Sequence, residues 1–131
     1  MDATITPGRP LVGEISLPGD KSISHRAALF GAMGVGDSRI ENFLLAGVTR
    51  PMLEALTALG VDWELNKGPD ESPLFPKVLL SIRGQGLQGF TPPAQTIQCR
   101  NSGATIRFLA GALAAAGITA TLDGSPGLRR R

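Results

Sequence analysis

Apolar and polar residues alternate with two periods along this chain, and the pattern predicts strands interleaved with helices. Residues 11–17 alternate one by one, which is typical of a strand. Residues 24–33 repeat apolar side chains at helical spacing, and Gly34 and Gly36 are expected to end that helix. The other expected elements are strands at 38–45, 61–65, 78–82, 96–99 and 118–122, a helix at 51–59, and an alanine-rich helix that starts from Ser102 and ends by Gly117. Strands and helices in this order indicate an α/β protein.

The same pattern predicts which segments pack together. Ile40 and Phe43 are the expected core residues of the second strand, and the strand at 78–82 is expected to pair with the one at 61–65. Residues 66–76 are polar and rich in proline and glycine, so we expect a surface loop there.

Composition narrows the class of function. The 131 residues suffice for one hydrophobic core or two small lobes, and 42% hydrophobic with 18% charged residues is typical of a soluble globular protein. A net charge of +2, without aromatic residues interleaved among basic ones, argues against nucleic acid as a partner. One cysteine, Cys99, can form no internal disulfide, and with one histidine it offers no metal cluster.

No segment is expected to target or anchor the chain. Residues 1–10 lack a basic region followed by an apolar one. The longest apolar run, at 108–118, is far shorter than the roughly 20 residues that a membrane span needs. The lone cysteine favours a reducing compartment, so we expect a cytoplasmic protein without a membrane partner.

A polar turn joins the first predicted strand to the first predicted helix. It contains Lys21, Ser22 and, four residues after that serine, Arg26 on the same side of the helix start. Backbone N–H groups at a helix start, an ammonium, a hydroxyl and a guanidinium suit a phosphate or carboxylate ligand. The simpler alternative is that Asp20 and the serines cap a helix whose basic side chains are only solvated. The spacing is not that of a P-loop, because Asp20 separates Gly19 from Lys21.

A second turn, at the start of the alanine-rich helix, repeats this chemistry. Gly103 would let a ligand approach the backbone without a Cβ in its way, and Arg107 follows it by four residues. Asn101, Ser102 and Thr105 offer side-chain hydrogen bonds and caps. A capped helix with an exposed arginine would explain this turn alone, but two such turns in one small chain favour paired anion sites.

A weak internal repeat relates the two turns. Shifted by 81 positions, Arg26 falls on Arg107, within units that both run strand, turn, helix, glycine, strand. His25, inside the first helix start, is interpreted as a capping or packing residue, with a general acid or base as the alternative. The three arginines at 129–131 are interpreted as a solvated tail.

Three segments resemble the first three signatures of the 5-enolpyruvylshikimate-3-phosphate synthase family, whose members are 3-phosphoshikimate 1-carboxyvinyltransferases. They are Leu17-Pro-Gly-Asp-Lys-Ser-Ile-Ser-His-Arg26, Asn101-Ser-Gly-Ala-Thr-Ile-Arg107, and Leu122-Asp-Gly followed by Leu128-Arg-Arg-Arg131. The first is highly specific, and the other two gain specificity from their order and spacing. The resemblance begins at about Pro10 and identifies the chain as the N-terminal portion of such a protein.

The resemblance implies transfer of the enolpyruvyl group of phosphoenolpyruvate to the 5-hydroxyl of shikimate 3-phosphate, with release of phosphate, in chorismate and aromatic amino-acid biosynthesis. Lys21 is expected to contact both substrates, and Ser22 and Arg26 to hold shikimate 3-phosphate. Gly103 and Arg131 are expected to bind phosphoenolpyruvate. The possible pocket-lining residues are Asn101, Ser102, Ala104 and Arg107. No metal or organic cofactor is implied, and glyphosate is expected to compete for the phosphoenolpyruvate pocket.

The resemblance also implies an architecture, that of a partial lobe of an inside-out α/β barrel built from repeated βαβαββ-type units. Residues 1–19 would be the leading strand of the other lobe, 20–92 the first unit and 93–131 the start of the second. Family members are much longer and bind their substrates between two lobes. A complementary C-terminal lobe would supply the catalytic acid and base groups, so the isolated chain is expected to be inactive.

The chain departs from the family pattern at two places, which leave other functions open. Gly47 and Val48 stand where an aspartate pair is common, and Ala104 stands where threonine is more usual. One alternative is a non-catalytic remnant that binds phosphate or carboxylate. Another is a relative of the enolpyruvyl transferase acting on UDP-N-acetylglucosamine, although that family has Lys-Asn where this chain has Lys21 and Ser22. A third, a basic RNA-binding fragment, predicts an RNA affinity that falls steeply with salt.

Overall fold

The computed structural model of the protein combines four helices with an antiparallel sheet and a short parallel strand pair in the part of the chain that it describes. That part is residues 2–8, 10, 12–15, 17–68 and 77–131. The helices are α1 (Lys21–Met33), α2 (Arg50–Ala58), α3 (Gly103–Ala116) and α4 (Pro126–Arg129), with a 3₁₀ turn at Leu87–Gly89. The strands are β1 (Val35–Ile40), β2 (Asp62–Lys67), β3 (Val78–Gln85), β4 (Ile97–Gln98) and β5 (Leu122–Asp123). The predicted α/β class is confirmed.

Strand β3 lies at the centre of the three-stranded sheet and pairs antiparallel with β1 on one side and β2 on the other. The predicted pairing of the segments at 61–65 and 78–82 is confirmed, with Leu65 opposite Leu80 and Trp63 opposite Ile82. Strands β4 and β5 form a separate parallel pair. The two sheets therefore divide the chain at the connection between β3 and β4.

Helix α1 begins at Lys21, three residues before the predicted start near Ser24. Asp20 is the reason, because its backbone is extended and its carboxylate accepts a hydrogen bond of 2.7 Å from the N–H of Ile23. Lys21 and Ser22 are therefore residues of the first helical turn and not of a preceding loop.

The strand predicted at 11–17 is not found. Its described residues, 12–15 and 17, form no strand, and Val12 and Leu17 are 97% and 68% exposed. An extended segment becomes a strand only when a neighbour pairs with its backbone, and no described strand lies beside this one. The side chain of Asn42 forms a hydrogen bond with this segment, because its Nδ2 donates to the Leu17 carbonyl at 3.2 Å.

Several other predicted helices and strands are present, but some of them begin or end at other residues than predicted. The strand predicted at 38–45 corresponds to β1, which begins earlier and ends at Ile40. It cannot continue past Asn42, because the backbone of that residue has a φ of 54°, in the left-handed region. The strand predicted at 96–99 shortens to β4, the one predicted at 118–122 overlaps β5 only at Leu122, and α4 follows β5. The helices predicted at 51–59 and after Ser102 are confirmed. Residues 69–76 of the predicted loop lie outside the described residues.

One hydrophobic core joins the helices to the inner face of the sheet. Phe43, a predicted core residue, is buried, whereas Ile40 is half-buried at its edge. The largest fully buried apolar side chains come from α2, β3 and α3, and include Met52, Leu53, Leu56, Leu80, Ile82 and Leu109. No helix in the described ranges is both long enough and apolar enough to cross a lipid bilayer.

Close approach of α1 to the sheet requires glycine at position 84. A Cβ on Gly84 would overlap the carbonyl oxygens of Gly31 and Gly34, which belong to the backbone at the end of α1 and just after it. The N–H of Gly86 also donates to the Gly34 carbonyl at 2.7 Å, which joins β3 to the same turn. Backbone atoms cannot move aside as the end of a side chain can.

We expect Gly84→Ala to lower the free energy of unfolding by about 1–3 kcal/mol, because the methyl group would push α1 away from β3. The measurement is urea denaturation, with the midpoint falling at an unchanged slope. Gly111→Ala is the matched control, since a Cβ there meets nothing within 4 Å. Within α3 it should raise stability by roughly 0.5–1 kcal/mol. Equal effects of the two substitutions would contradict the packing argument.

Candidate anion-binding site

The first turn of α1 presents the predicted binding side chains to solvent. Lys21, Ser22 and Arg26 are all exposed. The four-residue spacing places Ser22 and Arg26 on one side of the helix. Asp20 already accepts one N–H of this turn, but the remaining N–H groups and the positive end of the helix dipole still favour an anion. The turn thus joins two cationic side chains to a helix N-terminus.

A strained residue precedes the second turn. Arg100 has a φ of 49°, which is unusual for a residue with a Cβ. Its guanidinium forms two parallel hydrogen bonds to the Glu54 carboxylate, of 2.9 and 3.2 Å, and its carbonyl accepts one of 2.8 Å from the N–H of Ser125. These contacts with α2 and α4 hold the backbone that leads into α3.

Ser102 caps α3 from a buried position. Its Oγ accepts hydrogen bonds from the N–H of Thr105 at 3.3 Å and from the Thr105 hydroxyl at 2.8 Å. Asn101 is exposed beside it, and its Oδ1 accepts a hydrogen bond from the Ser125 hydroxyl. The side chains at the second turn are thus partly committed to shaping the helix start.

Two guanidinium groups converge on the backbone of Gly103. A Cβ at this position would stand 3.2 Å from Nη1 of Arg107 and 3.6 Å from Nη1 of Arg131. Ala104, which follows, is half-buried. Two arginines within a few ångströms of a helix N-terminus form a strongly electropositive point. Gly103 itself is buried beneath these guanidinium groups and Leu128, so the open approach to its backbone that the sequence predicts is not found.

A groove between α1 and α3 brings Arg26 and Arg107 together. Both arginines line it, and its volume is about 290 Å³. The rest of its lining is mostly apolar and includes Leu29, Phe30, Met33, Phe108 and Ala112. The two arginines that the 81-residue shift relates therefore face the same space, and Arg107 also reaches Gly103.

The structure does not bring every predicted residue into contact. Lys21 and Ser22 are not among the residues that line this groove. Within the described ranges, no side-chain hydrogen bond or ion pair joins either of them to the second turn. The connection between the turns is made instead by His25, which is fully buried and whose Nε2 lies 3.1 Å from Oγ of Ser102.

The interpretation of the last three arginines as a solvated tail is wrong for Arg129. Its Nε donates to Oδ1 of Asp123 at 2.8 Å, and its Nη2 contacts the other carboxylate oxygen. This hydrogen bonding, followed by the N–H of Gly124 at 2.7 Å, lowers the pKa of Asp123 from 3.8 to about 2. Arg131 also turns back onto the protein, toward Gly103.

Cys99 lies just before the second turn, but its thiol is not accessible for a reaction. Its side chain is fully buried, and burial, followed by the charge of Asp123, raises the pKa of the thiol from 9.0 to about 11. In the described part of the chain, no group of three His, Cys, Asp or Glu side chains could hold a metal ion.

Sequence reasoning missed the two ion pairs that support the second turn. Arg100 and Glu54 lie 46 residues apart, and no local signal relates them. Asp123 and Arg129 lie six residues apart, and the sequence pattern predicts only a solvated tail for Arg129. A larger groove, of about 500 Å³, crosses the sheet and contains none of the predicted site residues.

Fold and site together define an α/β protein with electropositive turns at two neighbouring helix starts. Comparison with known proteins agrees with this class. A family model described as EPSP synthase (3-phosphoshikimate 1-carboxyvinyltransferase) matches residues 5–131. The chain therefore belongs to the EPSP synthase family.

Individual relatives agree with the family match. The chain is 41% identical over 127 residues to the 3-phosphoshikimate 1-carboxyvinyltransferase of Desulfitobacterium hafniense, covering 97% of this chain and 27% of that protein. It is 39% identical over its whole length to the enzyme of the same name from Salinibacter ruber, of which it covers 28%. The EPSP synthase structure from Acinetobacter baumannii superposes with a TM-score of 0.76 at 33% identity, over 91% of this chain and 25% of that one. The chain thus spans about a quarter of the length of these relatives.

We expect the contact between Asp123 and Arg129 to make stability depend on acid. The carboxylate stabilises the fold fully above its unfolded pKa of 3.8, and this contribution is lost as the pH falls through its folded pKa of about 2. Asp123→Asn should therefore be less stable than the wild type at pH 7, with the difference shrinking toward pH 2. Urea denaturation from pH 2 to 7 measures this.

Arg129→Gln is the reciprocal control, because it removes the first cause of the low pKa. It should flatten the acid dependence in the same way, and the double variant should add little further. A stability difference between wild type and Asp123→Asn that stays constant from pH 7 to 2 would show that the pair does not act as described.

Proposed function

We propose that the chain supplies substrate-binding residues of a 3-phosphoshikimate 1-carboxyvinyltransferase. The reaction transfers the enolpyruvyl group of phosphoenolpyruvate to the 5-hydroxyl of shikimate 3-phosphate, giving 5-enolpyruvylshikimate 3-phosphate and phosphate. Family membership supports this reaction. The observation that carries it is the convergence of Arg107 and Arg131 on Gly103, because both substrates bear a phosphate and a carboxylate.

Shikimate 3-phosphate is assigned to the first turn. Ser22 and Arg26 would hold it, and Lys21 would contact both substrates. This assignment is supported by the exposure of all three side chains on the first turns of α1 and by the groove that Arg26 shares with Arg107. Arginine suits a planar carboxylate or a phosphate, whereas lysine acts as a mobile point charge between two anions.

Phosphoenolpyruvate is assigned to the second turn. Gly103 and Arg131 would bind it, because the start of α3 offers N–H groups to an anion and the guanidinium of Arg131 lies beside Gly103. Its pocket would be lined by Asn101, Ser102, Ala104 and Arg107.

The chemistry that these residues support is electrostatic. The 5-hydroxyl loses its proton as its oxygen adds to C2 of phosphoenolpyruvate, and C3 gains a proton. Loss of a C3 proton and departure of phosphate with the electrons of its C2–O bond then restore the double bond. The basic side chains would offset the negative charge of two crowded substrates and of the phosphate that leaves. We assign the proton-transfer groups to a complementary C-terminal lobe, and none to this chain.

The proposed architecture is a partial lobe of an inside-out α/β barrel with repeated units. Residues 20–92 form the first unit and 93–131 the start of the second. The described strand pairing supports this boundary, since the three-stranded sheet lies within the first range and the β4–β5 pair within the second. Residues 1–19, which contribute to neither sheet in their described part, are assigned to the other lobe.

Calorimetric titration of the 131-residue chain with shikimate 3-phosphate tests the site. We expect Arg26→Gln to weaken binding about tenfold or more, because a charge-assisted hydrogen bond is lost. Arg131→Gln should keep the affinity for shikimate 3-phosphate but abolish any tightening caused by phosphoenolpyruvate or glyphosate. Arg83→Gln is the matched control, since it removes the same charge from the far side of the sheet, where Arg83 pairs with Asp37.

Three outcomes would contradict the proposal. Binding that Arg83→Gln weakens as much as Arg26→Gln would reflect net charge alone. Turnover by the chain, followed as phosphate release, would contradict the assignment of proton transfer to another lobe. Failure of shikimate 3-phosphate to bind would reject the site itself.

A further inference from the structure

Every buried polar side chain in the described part of the chain belongs to one seam that joins α1 to α3. The seam consists of Ser24, His25, Thr49, Ser102 and Thr105, together with the backbone of residues 44–49. No buried side-chain nitrogen or oxygen in the described ranges lacks a hydrogen-bond partner. Fully satisfied buried networks favour one geometry over its alternatives, because breaking any bond leaves an unpaired polar group.

His25 occupies the centre of this seam and is the single histidine of the sequence. It is fully buried. Its Nδ1 lies 2.7 Å from the carbonyl oxygen of Lys21, in the first turn of α1. Its Nε2 lies 2.9 Å from the carbonyl oxygen of Val48 and 3.1 Å from Oγ of Ser102, the N-cap of α3. One rigid ring therefore contacts three segments that are distant in sequence.

We propose that His25 is a positioning residue that sets the first turn of α1 at a fixed distance and angle from the N-cap of α3. The proposal rests on the proposed function, and it adds the device that aligns the two binding turns. Within the described ranges, no side-chain hydrogen bond or ion pair joins Lys21 or Ser22 to the second turn. The alignment of their binding groups with those at Gly103 must therefore come from buried contacts.

The hydrogen bonds of the ring, and not only its volume, make this link. The carbonyl oxygens of Lys21 and Val48 can only accept, so a hydrogen bond to either one needs a proton on the ring nitrogen that faces it. The hydroxyl of Ser102 can instead donate to Nε2 when that nitrogen carries no proton. An apolar side chain of similar size would fill the space but leave the partners at Nε2 without their contact with α1.

Two amide substitutions test the contacts of Nδ1 and Nε2 separately. The amide of glutamine extends to about the position of Nε2, so His25→Gln retains the contact with Val48 and Ser102. The amide of asparagine extends only to the position of Nδ1, so His25→Asn retains the contact with Lys21 alone. His25→Leu removes both. Ser24→Ala is the matched control, because Ser24 accepts a 2.9 Å hydrogen bond from the N–H of Leu44 and its side chain forms no hydrogen bond with α3.

The first readout needs no ligand. Residual dipolar couplings of the backbone amides of α1 and α3 report the angle between the two helices. We expect this angle to be unchanged in His25→Gln and Ser24→Ala and to change in His25→Asn and His25→Leu. Urea denaturation of all four variants measures their loss of stability. The ranking of the variants by stability should differ from their ranking by interhelical angle.

The second readout is titration with shikimate 3-phosphate. We expect His25→Asn and His25→Leu to bind about fivefold more weakly than the wild type, and His25→Gln to stay within about twofold. Affinity that falls in Ser24→Ala as far as in His25→Asn, or an interhelical angle that is the same in every variant, would overturn the positioning role. Absence of wild-type binding would reject the proposed function, whereas the interhelical angle would still decide the role of His25.

Discussion

The hydrogen bonds buried at the start of α1 are the constraint on which the remainder of the site depends. Ser24 and His25 bind the backbone at residues 44–49, and Thr49 folds that segment by donating to the Leu44 carbonyl at 2.6 Å. Away from water, a polar group that loses its partner costs much more than the net gain of one hydrogen bond. Ser24 thereby fixes α1 to this segment, whereas His25 also reaches the cap of α3. The contact of His25 with Ser102 joins two helix starts that lie 77 positions apart.

The arginines around this seam fall into two groups. Arg100 and Arg129 pair with carboxylates and hold the turns, whereas Arg26, Arg107 and Arg131 face the groove or Gly103. Under the proposed function, an anion bound beside the second group would stabilise the folded chain, so that affinity and stability would be linked. The unusual backbone conformation of Arg100 lies directly before the second turn.

Much of the fold follows from local sequence. The apolar spacing specifies α2 closely, and apolar spacing together with the Ser102 cap specifies α3. The pairing of β2 with β3 follows from two alternating segments joined by a polar connection. Ends were harder to predict, because they depend on single interactions. Asp20 starts α1 three residues earlier than apolar periodicity predicts, because Lys21 and Ser22 are polar and Ile23 is exposed. Asn42 ends β1 through its own backbone conformation. The predicted strand at 11–17 shows the same limit, because alternation describes a strand's faces and cannot supply its neighbour.

The sequence by itself determined the chemistry of this protein: two glycine-containing turns with hydroxyls and arginines, each at a helix start, and a resemblance that the family match confirms. Only the tertiary structure decided which of those groups meet. Arg131 reaches Gly103, Arg26 shares a groove with Arg107, and His25 lies inside the protein against Ser102 instead of facing solvent. Residue type sets which bonds a side chain can form. Burial and the partners brought from distant segments set which bonds it does form, and no local pattern contains them.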